Sequence, residues 1–377
     1  MQKPTKICYI LPDYNKNTDS HFFHLYELLE ELSKKIDIFL IVEKSNVGHV
    51  EIGKKSYVQK FKFVPLRFLE SFFAILYARF LGYRNFYTHY CYIGGVNAAI
   101  VSRLSGGKSY YWNCEPNWLL KRSLFSQIGL NLSLKLSSFL VTCGETMKKG
   151  YAEHCNLKLD KIKVIPNWVN LDRFKRADSK DKNSRAAGSR PAGQKTKNIL
   201  FVHWLSERKG AHLLVPIVLN LCSRVDSINP NLRKFKFLII GGGPLKEKIL
   251  EEVRNNKIDD FIEVLGEIPN KEIIKYYAMA DIFIMPSLLE GFGRVLLEAM
   301  AMGIPYVSSD TTSAREISSP IAQKFLVRPG DIEGFAEKIL TLLKNQDIYD
   351  RFRQEELEKI KEYSLDNTVN KFINLFI

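Results

Sequence analysis

Cysteine is scarce in this chain and scattered. Of 377 residues only Cys8, Cys91, Cys114, Cys143, Cys155 and Cys222 are cysteine, and no two form a Cys-x-x-Cys pair. That spacing excludes a zinc knuckle and argues against a disulfide scaffold, so a reducing, cytoplasmic compartment is expected. No signal peptide is expected either. After Met-Gln-Lys-Pro-Thr-Lys the chain enters a short strand pattern, ICYILP, and no apolar run is read as approaching the roughly 18 residues of a membrane span. Acid is nearly missing from one interval. Between Glu70 and Glu145 the single acidic residue is Glu115, while the same interval carries fifteen aromatic residues.

The charge that is present is unevenly placed. Residues 1–174 carry a net +10, residues 175–198 a net +6 and residues 199–377 a net −2. A basic first half asks for an anionic partner: nucleic acid, anionic lipid or a phosphate-bearing molecule. No RNP-type sheet motif accompanies the charge, so nucleic acid is not expected. Residues 118–140 (WLLKRSLFSQIGLNLSLKLSSFL) fit a helix with a wide apolar face, which reads as core. Basic groups beside exposed aromatics would instead suit an anionic membrane surface.

Strand and helix patterns alternate from the start. Residues 6–11 and 37–42 read as strands, and residues 22–33 as an amphipathic helix with Leu25, Leu28, Leu29 and Leu32 on one face. The alternation predicts doubly wound α/β domains. Residues 175–198 contain no large apolar residue and predict a flexible linker or loop. The expected division is therefore 1–174, a linker 175–198, a second domain 199–360 and a C-terminal helix 361–377 that packs back on the first domain.

The most informative stretch is residues 281–300. Asp281-Ile282-Phe283-Ile284-Met285-Pro286 reads as a buried strand closed by proline, followed by Glu290-Gly291-Phe292-Gly293 and a helix that carries Glu298 two turns on. A glycine turn feeding a helix N-terminus gathers free backbone N–H groups and the positive end of a dipole, which suits a diphosphate. Two acids beside such a site would accept hydrogen bonds from sugar hydroxyls rather than touch phosphate.

This element sits in a longer series: 201–210 (FVHWLSERKG), 238–245 (LIIGGGPL), 264–268 (VLGEI), 276–287 (YYAMADIFIMPS), the Glu-x7-Glu element 290–303, 303–307 (GIPYV) and the Pro-Gly-Asp helix of 329–343. In this order the series resembles the donor domain of retaining glycosyltransferases of family 4, which have the GT-B fold: two Rossmann-like doubly wound α/β domains facing across a cleft. Residues 161–174 (KIKVIPNWVNLDRF) resemble the segment that ends the first domain, with Trp168 where glycine is usual.

The resemblance implies retaining transfer of a hexose-type sugar from a nucleotide diphosphate sugar to a glycan or lipid-linked acceptor, with no cofactor and no metal, since no Asp-x-Asp motif stands where a metal-dependent transferase needs one. Glu290 would bind the transferred sugar and Lys209 the diphosphate, as catalytic residues. Phe292 and Gly293 would hold the distal phosphate through backbone N–H groups, with Gly291, Ile268 and Gly242 lining the donor site and Glu298 on the ribose. Gly241-Gly242-Gly243-Pro244 itself reads as a close-packed strand-to-helix turn. One departure matters: Trp204 occupies the place of the family's phosphate-binding Arg, and His203 that of the glycine before it. Arg208 or Arg294 would then supply the missing charge, or both are solvated surface groups. On the acceptor side the candidates are His89, which reads equally as a structural histidine, Glu115 (with Cys114), which could instead cap a helix starting near Pro116, and Asp19, also a candidate helix cap. The alternatives are a nucleotide-sugar epimerase or hydrolase of the same fold, and a non-catalytic scaffold or binding protein.

Overall fold

The structure, a computed structural model, describes residues 5–16, 22–175, 196–228 and 234–377. The chain divides into two compact units, Met1–Asn167 with Leu365–Ile377, and Trp168–Ser364. Asp19 and most of the expected linker lie outside the described residues.

The first unit runs β1 (Lys6–Leu11), α1 (Phe23–Ser33), β2 (Asp37–Val42), β3 (Lys55–Val58), α2 (Val64–Phe80), β4 (Asn85–His89), α3 (Tyr92–Ser105), β5 (Lys108–Trp112), α4 (Leu124–Leu136), β6 (Phe139–Thr142), α5 (Glu145–Cys155) and β7 (Ile162–Val164). Its seven strands lie in the order β3-β2-β1-β4-β5-β6-β7, with every pair parallel. Parallel strands are covered on both faces, which is why DIFLIV in β2 is buried at every position. Helix α3 packs between α2 and α4, and α1 packs on the C-terminal helix Leu365–Asn374. That helix closes an aromatic cluster: Phe372 lies 4.5 Å from Tyr87 and Phe376 5.1 Å from Tyr110, between ring centroids.

Three expectations need correction in the first unit. The helix expected over residues 118–140 starts late. Asn117–Leu119 is a short 3-10 turn, and α4 begins after Ser123, whose hydroxyl accepts the Ser126 N–H. A serine at that position caps the helix better than the apolar residues upstream. The apolar face of α4 is not core either: Leu124, Phe125, Ile128 and Leu132 are exposed, while Leu130, Ser133 and Leu134 are buried. Finally, Cys114 and Cys143 form a disulfide, although the scattered cysteines argued for a reducing compartment. They follow neighbouring strands, β5 and β6, whose parallel pairing brings together residues 29 apart in sequence.

The second unit runs β8 (Lys197–Val202), α6 (Leu214–Ile228), β9 (Phe235–Ile240), α7 (Lys246–Asn256), β10 (Ile262–Gly266), α8 (Ile273–Met279), β11 (Ile282–Met285), α9 (Arg294–Ala301), β12 (Tyr306–Ser309), α10 (Thr312–Ile317), β13 (Leu326–Val327), α11 (Ile332–Lys344) and α12 (Gln346–Lys359). Its parallel sheet has the order β10-β9-β8-β11-β12-β13. The order reverses between β8 and β11, so the loops after these two strands meet at the topological switch point, where open α/β sheets bind ligands. One helical stretch, Ala211–Ile228, is after all apolar and long enough to cross a membrane by length and composition. Half of it is buried, and α6 packs on α11 through a face that includes Leu214, Ile217, Val218, Leu221 and Val225.

Glu356 on α12 is fully buried, and its Oε1 accepts the Ser319 N–H at 2.8 Å. Burial pushes its carboxyl up to about 7 despite the hydrogen bonds from Ser319. A carboxyl raised in the folded state costs stability as the pH climbs from the unfolded value near 4.5 to about 7, and the cost is constant above that. Glu356→Gln is therefore expected to raise Tm at pH 8 and to do little at pH 4, with a gain of up to about 3 kcal/mol at the alkaline end. Calorimetry across that range checks it, and an equal gain at both ends would contradict it.

Candidate functional site

The site forms from the loops that follow β8 and β11. Residues 203–210 turn through a 3-10 segment, Glu207–Lys209, that ends at Gly210 with φ +71°. A side chain at 210 would start 1.9 Å from the Pro286 carbonyl oxygen, so only glycine allows the two loops to touch. The Arg208 carbonyl then accepts the Leu288 N–H at 2.9 Å. This stitching brings Lys209 opposite Glu290. Their side chains are 6% and 8% exposed, and Lys209 Nζ donates to Glu290 Oε2 at 2.6 Å.

Two further groups hold the carboxylate. Ser287 Oγ lies 3.5 Å from Oε2, and His203 Nε2 lies 3.4 Å from it. The Trp204 N–H donates to His203 Nδ1 at 3.0 Å, which leaves the imidazole proton on Nε2, facing the carboxylate. Burial lowers the His203 pKa, so the ring is neutral at pH 7. Burial alone would raise the Glu290 pKa, but the Lys209 charge and the His203 hydrogen bond outweigh it and hold the carboxyl at about 2. Glu290 is thus a fixed, ionised acceptor. His203 and Ser287 escaped the sequence reading, although His203 directly follows a buried strand and Ser287 stands three residues before Glu290.

After Glu290 the chain passes through Gly291, Phe292 and Gly293 into α9, whose N-cap is Gly293 with no side-chain cap. Among the described residues, neither the Phe292 nor the Gly293 N–H donates to another part of the chain. Glu298 accepts the Tyr277 hydroxyl at 2.7 Å and lies 3.8 Å from Arg294 on the preceding turn. Tyr277 is a third group whose role the sequence left unnoticed. Arg294 therefore serves Glu298, whereas the Arg208 side chain is exposed. Trp204 is 54% exposed at the end of β8.

The glycine triplet is packing. A side chain at Gly241 would meet the His203 carbonyl oxygen at 1.9 Å, and the Leu205 N–H donates to the Gly242 carbonyl at 2.6 Å. This turn thus supports the 203–205 loop. Ile268, half-buried, follows β10 on the same edge of the sheet.

The acceptor-side candidates lie in the first unit, and the structure does not gather them into a site. His89 is fully buried: its Nδ1 is 3.0 Å from the Tyr9 hydroxyl, and its ring stacks on Trp112 at 4.1 Å. Burial drives its pKa well below the usual value. Of its two readings this is the structural one, because a strand residue between two aromatic neighbours is held in the core. Glu115 does not cap a helix. It pairs with Arg122, which also donates to the Tyr92 hydroxyl at 2.6 Å and to Asn117 Oδ1 at 2.7 Å. Cys114 is in the disulfide. Among the described residues no three His, Cys, Asp or Glu side chains gather as a metal site.

Two parallel-sheet α/β units of this kind define the GT-B fold class. A solved structure of Anabaena HepE in complex with UDP shares the architecture, with a TM-score of 0.76 over 98% of this chain and 99% of that one at 15% identity. Residues 184–359 match the family described as glycosyl transferases group 1. Among curated relatives, 2-deoxystreptamine N-acetyl-D-glucosaminyltransferase of Niallia circulans is 25% identical over 47% of this chain and 42% of its own length. The phosphatidylinositol N-acetylglucosaminyltransferase GPI3 subunit of Saccharomyces cerevisiae is 23% identical over 79% of this chain and 65% of its own length. The chain thus spans less than two thirds of these relatives.

Proposed function

We propose that the chain is a retaining glycosyltransferase that moves a hexose-type sugar from a nucleotide diphosphate sugar to a glycan or lipid-linked acceptor, without a metal or other cofactor. The observation that carries this reading is the buried Lys209–Glu290–His203 group at the switch point of the second sheet. A carboxylate held ionised can accept hydroxyls of the transferred sugar. The leaving nucleotide diphosphate gains charge in the transition state, and fixed positive potential opposite it lowers the barrier. The Lys209 ammonium beside that carboxylate supplies positive charge, and the N-terminus of α9 adds N–H groups and its dipole. Glu298, oriented by Tyr277 and Arg294, takes the ribose. The names of two relatives, both N-acetylglucosaminyltransferases, make N-acetylglucosamine the first sugar to test, and the UDP bound to Anabaena HepE makes uridine the first base. The basic first unit attaches peripherally to an anionic membrane and brings the site to a lipid-linked acceptor.

Thermal shift across UDP-, GDP- and dTDP-sugars tests donor binding, because a ligand that binds only the folded state raises its stability. NMR of the product's anomeric centre then tests retention. Absence of both a shift and donor hydrolysis would leave the scaffold reading. Between the two candidate arginines, Arg208 is the one not held by a carboxylate of the site. Arg208→Ala is expected to weaken nucleoside diphosphate binding on the order of tenfold or more, as loss of one charged hydrogen bond does, and Arg294→Ala to weaken it less. Calorimetric titration decides, and the reverse ranking would reassign the role.

A further inference from the structure

Helix α2 has two apolar faces. The inner one buries Ser71, Ile75 and Ala78. The outer one carries Leu66, Leu69, Phe73, Leu76 and Phe80 at spacings of three and four, and all are exposed, Phe73 by 62% and Phe80 by 88%. A stripe at helical period is what a buried helix shows, and this one is uncovered among the described residues. The segment leading into the helix adds Phe61 and Phe63, the latter 67% exposed. This segment is held in place. Glu70 accepts the Tyr57 hydroxyl at 2.8 Å, the Lys60 N–H at 2.8 Å and the Phe61 N–H at 3.1 Å. The one acid of this face is thereby engaged with its own loop.

Around the stripe the charge is of one sign. Lys54, Lys55, Lys60 and Lys62 are exposed, and no acidic residue stands between Glu51 and Glu70. Between β3 and α2 lies a cavity of about 730 Å³, lined by Phe39, Tyr57, Phe61, Leu69 and Phe73 and by Lys54 and Lys55. That is within the roughly 300–1,000 Å³ that holds an organic ligand. The same helical layer continues through α3 to α4, where Leu124, Phe125 and Ile128 are also exposed.

We propose that the outer face of α2, with Phe61 and Phe63 and the apolar cavity beside it, is a docking surface for an anionic phospholipid bilayer, the lysines meeting headgroup phosphates and the aromatic and leucine side chains entering the acyl boundary. Charge complementarity selects this occupant. Lysine is depleted from the core of protein–protein interfaces, whereas an anionic leaflet attracts it. An apolar stripe flanked by lysines is the pattern of a helix lying in the interface plane. The inference deepens the membrane part of the reading above and is independent of the transfer step.

Sedimentation of the whole protein with phosphatidylcholine vesicles, with and without phosphatidylglycerol, tests it at low and moderate salt. The wild-type protein is expected to sediment with the anionic vesicles and to be released as salt rises. Phe63→Ser/Leu66→Ser/Phe73→Ser and, separately, Lys60→Glu/Lys62→Glu are each expected to lower the bound fraction about tenfold or more. All five side chains are exposed, so Tm and nucleotide-sugar thermal shift should stay at wild-type values. Phe63→Trp should show a blue-shifted emission on binding. If the wild type binds but the variants bind equally well, this surface is wrong while peripheral attachment stands. If the wild type stays in the supernatant at low salt, both are wrong, and donor thermal shift still tests the transferase reading alone. A concentration-dependent dimer abolished by the serine substitutions would make the face a self-association surface and overturn the proposal.

Discussion

Glu290→Gln is expected to abolish most sugar transfer, with a loss on the order of a hundredfold to a thousandfold in kcat. The structure adds a second effect. Lys209 is buried against this carboxylate, so the amide removes the negative charge beside a cation with little solvent. Breaking a buried pair from one side costs about 3–5 kcal/mol, so the variant should also melt well below the wild type. Nucleoside diphosphate binding should restore part of that loss, because its charge replaces the missing partner. Single-turnover assays and melting curves with and without UDP measure both effects. Wild-type turnover in a folded Glu290→Gln protein would remove Glu290 from the mechanism.

Lys209→Ala reverses the imbalance, and pH distinguishes the two variants. In the wild type the Glu290 pKa is depressed to about 2, so its contribution to stability is present above the unfolded value near 4.5 and is lost as pH falls toward 2. Without Lys209, burial dominates and drives the Glu290 pKa upward. A raised carboxyl destabilises increasingly as pH rises. The stability deficit of Lys209→Ala should therefore be several kcal/mol at pH 7 and shrink steadily toward pH 4. Donor affinity and kcat should both fall, since the ammonium opposes the diphosphate in ground and transition states alike. Calorimetry between pH 4 and 7 tests the sign. A deficit independent of pH would mean that Lys209 acts through packing alone.

What could be read from the sequence was local. β1, β2 and α1 follow from runs and periodicities within a dozen residues, and so does the strand, glycine turn and helix around Glu290. The glycine triplet was legible as packing because a turn closed by proline leaves little else. What joins distant segments was hidden. Nothing near His203 says that its ring will face a carboxylate 87 positions later, and Tyr277 reaches Glu298 only because α8 and α9 are brought together by the sheet. The same holds for Cys114 and Cys143. His89, open between a structural and an acceptor-side reading, illustrates the opposite case. Its position after a strand pattern suggested a site, but the identity of its stacking partners, Tyr9 and Trp112, is a property of sheet order rather than of the motif. In α4, apolar periodicity was read correctly as amphipathic and wrongly as core, because periodicity does not say what the apolar face meets.

The C-terminal helix Leu365–Asn374 bears on the order in which the protein is made. The second unit is one continuous stretch, while the first includes both ends of the chain. During synthesis the residues of the first sheet emerge first, yet Tyr87 and Tyr110 receive Phe372 and Phe376 only after the whole second unit has been made. Val369 and Phe372, both buried, complete that core last. The usual N-terminal-first sequence of domain folding is therefore inverted here at its final step: the second unit can finish before the first is closed. A stop codon placed at Leu365 would leave the loops after β8 and β11 intact and open the other unit's aromatic cluster to water.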